Sequence, residues 1–274
     1  MALSPMRKII LHAVLILGVA VVATPFFWMI STSLKTFVES IRVPPTLWPE
    51  TLNWGNYAEV FRSMNFGVYY KNTIIVTVAK TVGQLMLCSL AAYAFARLKF
   101  PLKNFLFLMV LSVLMVPSQV VLIPKFALMR AFDWINTYWA IIVPGVFSAF
   151  GTFLLRQFFL TIPGELEEAA KIDGCSIFRI FWNIFLPLSG PALVSLSIFT
   201  ILASWNDFLW PLVVTTTDDM RLLSIGIASF QGEYRTNYPL LMAASVMATL
   251  PILLVFVVLQ RYFIEGITLS GIKA

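Results

Sequence analysis

Residues 9–30 contain no Asp, Glu, Lys or Arg. As a helix rising 1.5 Å per residue, such a run reaches across a hydrocarbon layer ~30 Å thick. Five further apolar stretches follow at 69–95, 104–124, 138–159, 188–214 and 238–262, each long enough for the same purpose. Composition agrees: apolar residues make up 59% of the chain and charged residues 12%, against roughly 25% charged in a soluble domain. So little charge cannot coat a water-exposed surface. The expectation is an all-α polytopic membrane protein with six transmembrane helices, built as one membrane domain over 1–274.

The same composition excludes other classes. The formal charge is +6, but the basic residues are scattered with no run of five, so no nucleic-acid-binding arm is expected. The two cysteines, Cys88 and Cys175, form no CxxC, which argues against a redox pair or a zinc site, and no metal is expected. The single histidine, His12, lies in the first apolar run, and no HExxH or Ser/His arrangement points to catalysis. That first run outlasts a signal-peptide h-region and ends in no small-residue cleavage site, so it reads as an uncleaved first helix.

An even number of spans puts both termini on one side. Arg7 and Lys8 precede the first span, and Arg97, Lys99 and Lys103 crowd the short second connection without acids. Lys and Arg in short loops orient membrane helices, so that side reads as cytoplasm. The loop after the first span carries Lys35, Arg42 and Arg62, but it is longer and holds Glu39, Glu50 and Glu59 as well. Its Pro44-Pro45, Trp48-Pro49 and 53–57 segments suit short interfacial helices rather than a domain.

Polar residues within spans are costly in lipid and therefore informative. In the second span Thr73, Thr77, Lys80, Thr81, Gln84 and Cys88 fall within an arc of ~100°, a face that must turn away from lipid. Lys80 either faces a pore or pairs with an acid from a neighbour. In the fifth span Gly190, Ser197, Thr200, Ser204, Asp207 and Pro211 repeat the pattern, with Asn206 beside Asp207. Two readings compete. In one, Thr77, Lys80, Gln84, Ser204, Asn206 and Asp207 line a hydrophilic path; in the other, these residues pack helices together. Pro144, Gly145, Ser148, Gly151 and Thr152 in the fourth span suit close contact or a kink.

The connection 160–187 is polar. Pro163 can open a helix whose first turns hold Glu165, Glu167 and Glu168, acids that complement the helix dipole. Gly174 supplies a stop, Ser176 a cap for a second helix with an apolar face of Ile177, Phe178, Ile180 and Phe181, and Pro187 an end at the membrane. The result is a helix–corner–helix on the cytoplasmic surface.

Glu168-Ala169-Ala170, then Gly174, then Ile184-Phe185-Leu186-Pro187 resembles the EAA motif of bacterial ABC-importer permeases at every anchor. Asn72-Thr73, the segment 91–98, Val116-Pro117, Trp205-Asn206-Asp207 and Met242-Ala243-Ala244-Ser245 are similar to MalG-type carbohydrate permeases. The resemblance implies a subunit of the bacterial inner membrane that pairs with a second, MalF-like permease. It implies two ATPase subunits docked beneath and an extracytoplasmic solute-binding protein. It assigns the ATPase contact to Glu168, Ala169, Ala170, Asp173, Gly174, Ile184, Leu186 and Pro187. It also carries the tail residues Thr268, Gly271 and Lys273 toward the ATPases. The chain has no GxxxxGK[ST] loop, so ATP and Mg are expected on the partner ATPases, with no cofactor here. The implied solute is a carbohydrate, with glycerol 3-phosphate or a glycosylated compatible solute as alternatives. The competing class, an ATP-independent secondary transporter, would need its own coupling-ion site.

Overall fold

The computed structural model describes residues 5–232 and 236–271, the last helix without side chains beyond Gln260. The described secondary structure is helical apart from an isolated bridge between Gln231 and Thr236. The helices are α1 (Pro5–Ser33), α2 (Phe37–Ser40), α3 (Gly55–Ser63), α4 (Phe66–Arg97), α5 (Lys103–Ser112), α6 (Leu122–Ala131), α7 (Tyr138–Ile142) and α8 (Ala149–Thr161). They continue with α9 (Gly164–Ile172), α10 (Ile177–Ile180), α11 (Leu186–Leu188), α12 (Gly190–Trp205), α13 (Leu209–Val214), α14 (Leu223–Ala228) and α15 (Tyr238–Gly271). The chain forms two compact units. One runs through Phe66 and includes Gly226–Leu250; the other holds Gly67–Ile225 and the chain from Pro251 onward.

In the first unit α1 presents apolar side chains such as Ile9, Val14, Leu17 and Val22 around its length, all exposed. A helix apolar on all sides suits hydrocarbon. The segment after it is a small knot with short helices, as expected. Asn56 donates to the carbonyls of Ser33 (2.8 Å) and Lys35 (2.9 Å), closing the end of α1. Lys35 is buried, donates to the Thr46 carbonyl and lies over the Trp28 ring.

The apolar stretches of the six expected spans are not all continuous helices. Four helical segments are long and apolar enough to cross a membrane: Met6–Ser33, Phe66–Arg97, Tyr138–Thr161 and Tyr238–Gln260. A fifth crossing requires Ile177–Leu188 and Gly190–Trp205, which meet at 77°, to act together. The third stretch falls short. Its helix, continued as a 3-10 turn over Val113–Met115, stops because Pro117 forces Val116 into extended backbone (φ −90°, ψ 119°). In the fourth stretch α7 runs into a 3-10 turn over Val143–Gly145, and helix resumes only at Ala149, capped by Ser148.

The fifth stretch breaks as well. α12 ends at Trp205, and Asn206 turns its side-chain amide onto the Leu202 carbonyl (2.8 Å), competing with helix continuation. The helix end expected at Pro187 falls two residues later. Pro187 lies near the end of a continuous helix Ile177–Leu188, which widens to a π-turn over Phe181–Phe185, and the chain turns at buried Ser189.

Two apolar clusters hold the second unit. One gathers Cys88, Tyr93, Leu155, Phe159, Phe181, Phe185 and Leu196. The other gathers Val76, Met129, Ile141, Trp210, Val214 and Leu222. α4 contributes to both and packs closely on the break in the fourth stretch. A Cβ built on Gly83 would lie 2.9 Å from Cβ and Cγ1 of Val146, a β-branched side chain with little freedom to move. Gly83→Ala should therefore destabilise the protein by about 1–3 kcal/mol through overpacking. Gly67, on the same helix, has nothing within 4 Å, so Gly67→Ala should be neutral or stabilising by up to ~1 kcal/mol. Thermal unfolding of the two purified variants checks this; equal midpoints would contradict the close approach.

Candidate functional site

The protrusion 160–187 is built as a helix, a left-handed corner and a second helix. Glu165 and Glu167 occupy the first turn of α9 and Lys171 the last, both in the sense the helix dipole favours. At its end Cys175 N–H donates to the Ala170 carbonyl (2.9 Å) and Gly174 N–H to the Lys171 carbonyl (3.1 Å). This is a Schellman closure. Gly174 stands at φ +76°, and a Cβ there would meet nothing within 4 Å. The glycine is thus required by backbone conformation and not by space. Ser176 Oγ then accepts from Arg179 N–H (3.3 Å) and starts α10.

The structure divides the motif residues by direction. Glu168, Ala169, Asp173, Gly174 and Pro187 face outward, whereas Ala170 is buried. Ala170 belongs to the apolar cluster, and Ile184 and Leu186 pack against it. Outward with Glu168 stand large apolar side chains, Ile172 at 87% exposure and Phe178 at 69%. Of the tail residues, Lys273 lies outside the described residues, and Thr268 and Gly271 fall where only the helical backbone is described.

Sequence reasoning missed what anchors this protrusion. Glu167 is buried, accepts from Lys171 Nζ at 2.7 Å and lies 3.9 Å from Arg97 Nε. Arg97 in turn donates to the carbonyls of Phe159 (2.7 Å) and Ile162 at the end of α8 and covers the Phe185 ring. The end of α4 is treated likewise: Arg156 donates to the Phe95 carbonyl (3.1 Å), and Lys103 to those of Ala96 (3.2 Å) and Leu98 (3.0 Å). Basic residues whose first signal is membrane orientation thus also cap helix C-termini. The available sequence clue was that Glu167, Ala170 and Lys171 share a helix face.

The second cluster lies around the breaks in the fourth and fifth stretches. The polar stripe of α4 is buried, while Ile74, Ile75, Val78, Val82 and Met86 on its other faces are exposed, as the periodicity requires. Lys80 Nζ meets Asp207 Oδ2 at 3.1 Å, with side-chain exposures of 8% and 25%. Of the two expectations for Lys80, the acid partner is present. Its stem runs so close to Gly145 that a Cβ there would lie 2.9 Å from Lys80 Cε. Asp207 is the point at which α12 has stopped and α13 has not begun, and Ser224 Oγ donates to its backbone carbonyl (2.8 Å).

Gln84 bridges two elements, donating to the Gly145 carbonyl (2.8 Å) and accepting from Thr200 Oγ1 (2.9 Å). Cys88 Sγ accepts from Ser148 N–H (3.3 Å) and donates to its carbonyl (3.4 Å). Thr77 and Ser204 are each 4% exposed, and their hydroxyls have no hydrogen-bond partner among the described residues. Asn206 is exposed. Lys80 and Asp207 share with Lys125, Ser118, Leu122, Ile141, Pro144, Gly145, Leu209 and Trp210 the wall of a cavity of about 240 Å³. Among the described residues no group of three or more His, Cys, Asp or Glu converges as a metal site would.

Residues 84–268 match the family described as "binding-protein-dependent transport system inner membrane component". The arabinooligosaccharides transport system permease protein AraQ of Halalkalibacterium halodurans is 39% identical over 271 residues, covering 96% of this chain and 97% of that protein. The sn-glycerol-3-phosphate transport system permease protein UgpE of Pectobacterium atrosepticum is 34% identical over 264 residues, 93% of this chain and 94% of that protein. The fold is shared with a chain from the crystal structure of a bacterial ABC transporter involved in the import of the acidic polysaccharide alginate. There the TM-score is 0.82 and the identity 23%, over 96% of this chain and 99% of the other. The chain belongs to the family of inner-membrane components of binding-protein-dependent transport systems.

Proposed function

We propose that this permease subunit carries a carbohydrate or carbohydrate-like solute and is driven by ATP hydrolysis on separate ATPase subunits that dock on the α9–α10 protrusion. The observation that carries the docking reading is the division of that protrusion into two faces. Glu167 and Ala170 are buried, while Glu168, Ala169, Ile172, Asp173 and Phe178 are presented outward on a frame locked at both ends. Exposed apolar side chains rimmed by charge are the usual mark of a protein interface. The Schellman corner at Gly174 fixes the angle between the two outward faces. A second permease and an extracytoplasmic binding protein complete the assembly. The protrusion and both termini lie on the cytoplasmic side, in keeping with Arg97, Lys99 and Lys103 in the short loop beside it.

Relatives named for arabinooligosaccharide and for sn-glycerol-3-phosphate transport support the solute class. Both solutes are polyhydroxylated and need a polar route. Lys80 and Asp207, with the cavity they line, are the polar groups of α4 and the fifth stretch nearest to such a route. Gln84, held between Gly145 and Thr200, joins helices.

Two outcomes test the docking face. Glu168→Lys, an exposed substitution, should leave the protein in the membrane at normal abundance and lower binding-protein-stimulated ATP hydrolysis of the reconstituted complex at least tenfold. Full stimulation in that variant would remove α9 as the coupling element. At Gly174 the demand is a positive φ, so Gly174→Asn should retain most coupling and Gly174→Val should lose it. If Val were tolerated as well as Asn in the same assay, the corner would not be what sets the docking geometry.

A further inference from the structure

The cavity beside the Lys80–Asp207 pair holds one more cation than it needs. Among the described residues, buried Lys80 has Asp207, and half-buried Arg97 has Glu167 and the carbonyls of Phe159 and Ile162. Lys125, half-buried on α6, differs. Its Nζ lies 3.7 Å from the centroid of the Trp210 ring, and among the described residues it makes no hydrogen bond or ion pair with an acceptor oxygen. The Trp210 ring is itself fixed, because its Nε1–H donates to the Ala140 carbonyl at 2.9 Å. A cation–π contact holds an ammonium in place while leaving its N–H donors unspent. The one carboxylate in the cavity wall, Asp207, is already engaged by Lys80. Two basic side chains share one carboxylate: Asp207 attracts both, but it lies within hydrogen-bonding distance only of Lys80, which leaves the N–H donors of Lys125 unused.

We propose that this cavity is a subsite for an anionic group on the transported solute, a carboxylate or a phosphate ester, with Lys125 as its recognition residue. This rests on the reading of the chain as an importer permease and narrows its solute class to acidic sugars or polyol phosphates. The cavity, about 240 Å³, falls below the roughly 300–1,000 Å³ of whole-ligand clefts. It therefore takes one sugar residue or a polyol head and not a chain at once. The Ser118 hydroxyl in its wall supplies a neutral hydrogen-bonding group beside the charge. Lys80 keeps Asp207 from competing for Lys125, which ties the ion pair to recognition as well as to folding.

The test uses the complex of this chain with its co-purifying partners in phosphatidylcholine nanodiscs, with glucuronate, sn-glycerol 3-phosphate and glucose as probes followed by ligand-observed NMR. At least one acidic probe should bind tenfold or more tighter than glucose. Lys125→Gln should erase that preference, and Lys125→Arg should restore it in a protein of the same stability. Which acidic probe binds tells a carboxylate solute from a phosphate ester. Equal binding of glucose, or a preference that survives in Lys125→Gln, would overturn the proposal. So would loss of the preference when phosphatidylglycerol is added, because the pocket would then belong to a lipid headgroup. Binding-protein-stimulated ATP hydrolysis is measured on the same discs. If hydrolysis is normal and the preference absent, only the subsite fails; if no ATPase assembles, the importer reading fails with it.

Discussion

An unpaired peptide N–H or C=O in hydrocarbon costs several kcal/mol, so a membrane chain interrupts its helices only where other groups supply the missing partners. The fourth and fifth apolar stretches of this protein are interrupted, at Val146–Ser148 and at Asn206–Phe208. The partners come largely from α4 and the elements packed on it. Gln84 serves the Gly145 carbonyl, Cys88 the backbone of Ser148, and Thr73 accepts from the N–H of Leu223. Asn72 donates to the carbonyls of Asp219 and Arg221. Lys80 crosses Gly145 to reach Asp207, where the fifth stretch breaks. The polar stripe of α4 is thus a column of donors and acceptors that permits irregular backbone beside a cavity.

The same economy operates at the edge of the second unit. Arg97, Lys103 and Arg156 spend their donors on the last carbonyls of α8 and α4. Arg97 also fixes buried Glu167, and with it the inner face of α9. Rigidity on that face holds the outer face, with Glu168, Ile172 and Phe178, in a defined orientation, as the proposed docking requires. Ala170, Ile184 and Leu186 contribute to this rigidity from within the apolar cluster. In this structure those three motif residues pack inward, whereas Glu168, Ala169 and Asp173 face outward.

Much of this was legible in the residues, and the exceptions have a common cause. The period of Thr73, Thr77, Lys80, Gln84 and Cys88 gave the buried face of α4, and Pro163, Gly174 and Ser176 gave the helix–corner–helix. A kink was legible only in the fourth stretch; the other breaks were not, because apolar stretches look continuous whether or not the helix within them is. Pro144-Gly145, Val116-Pro117 and Asn206-Asp207 were the local signs. Whether such signs kink, stop or merely decorate a helix depends on groups far along the chain. For the same reason Glu167 read as an acid at a helix start: its partner, Arg97, closes another helix. Lys125 carried no local signal, since its place in the cavity exists only once α6 and α13 are side by side, with its ammonium on the Trp210 ring.

The central claim is that Lys80 and Asp207 are paired to close the break in the fifth stretch, and a double-mutant cycle tests it directly. Thermal unfolding is measured for the purified complex carrying Lys80→Met, Asp207→Leu and both substitutions. Asp207→Leu strands the buried Lys80 ammonium and should cost about 3–5 kcal/mol; Lys80→Met leaves a partly exposed Asp207 beside Lys125 and should cost less; the double change should recover most of the Asp207→Leu loss. Additive losses in the double variant would contradict the pairing.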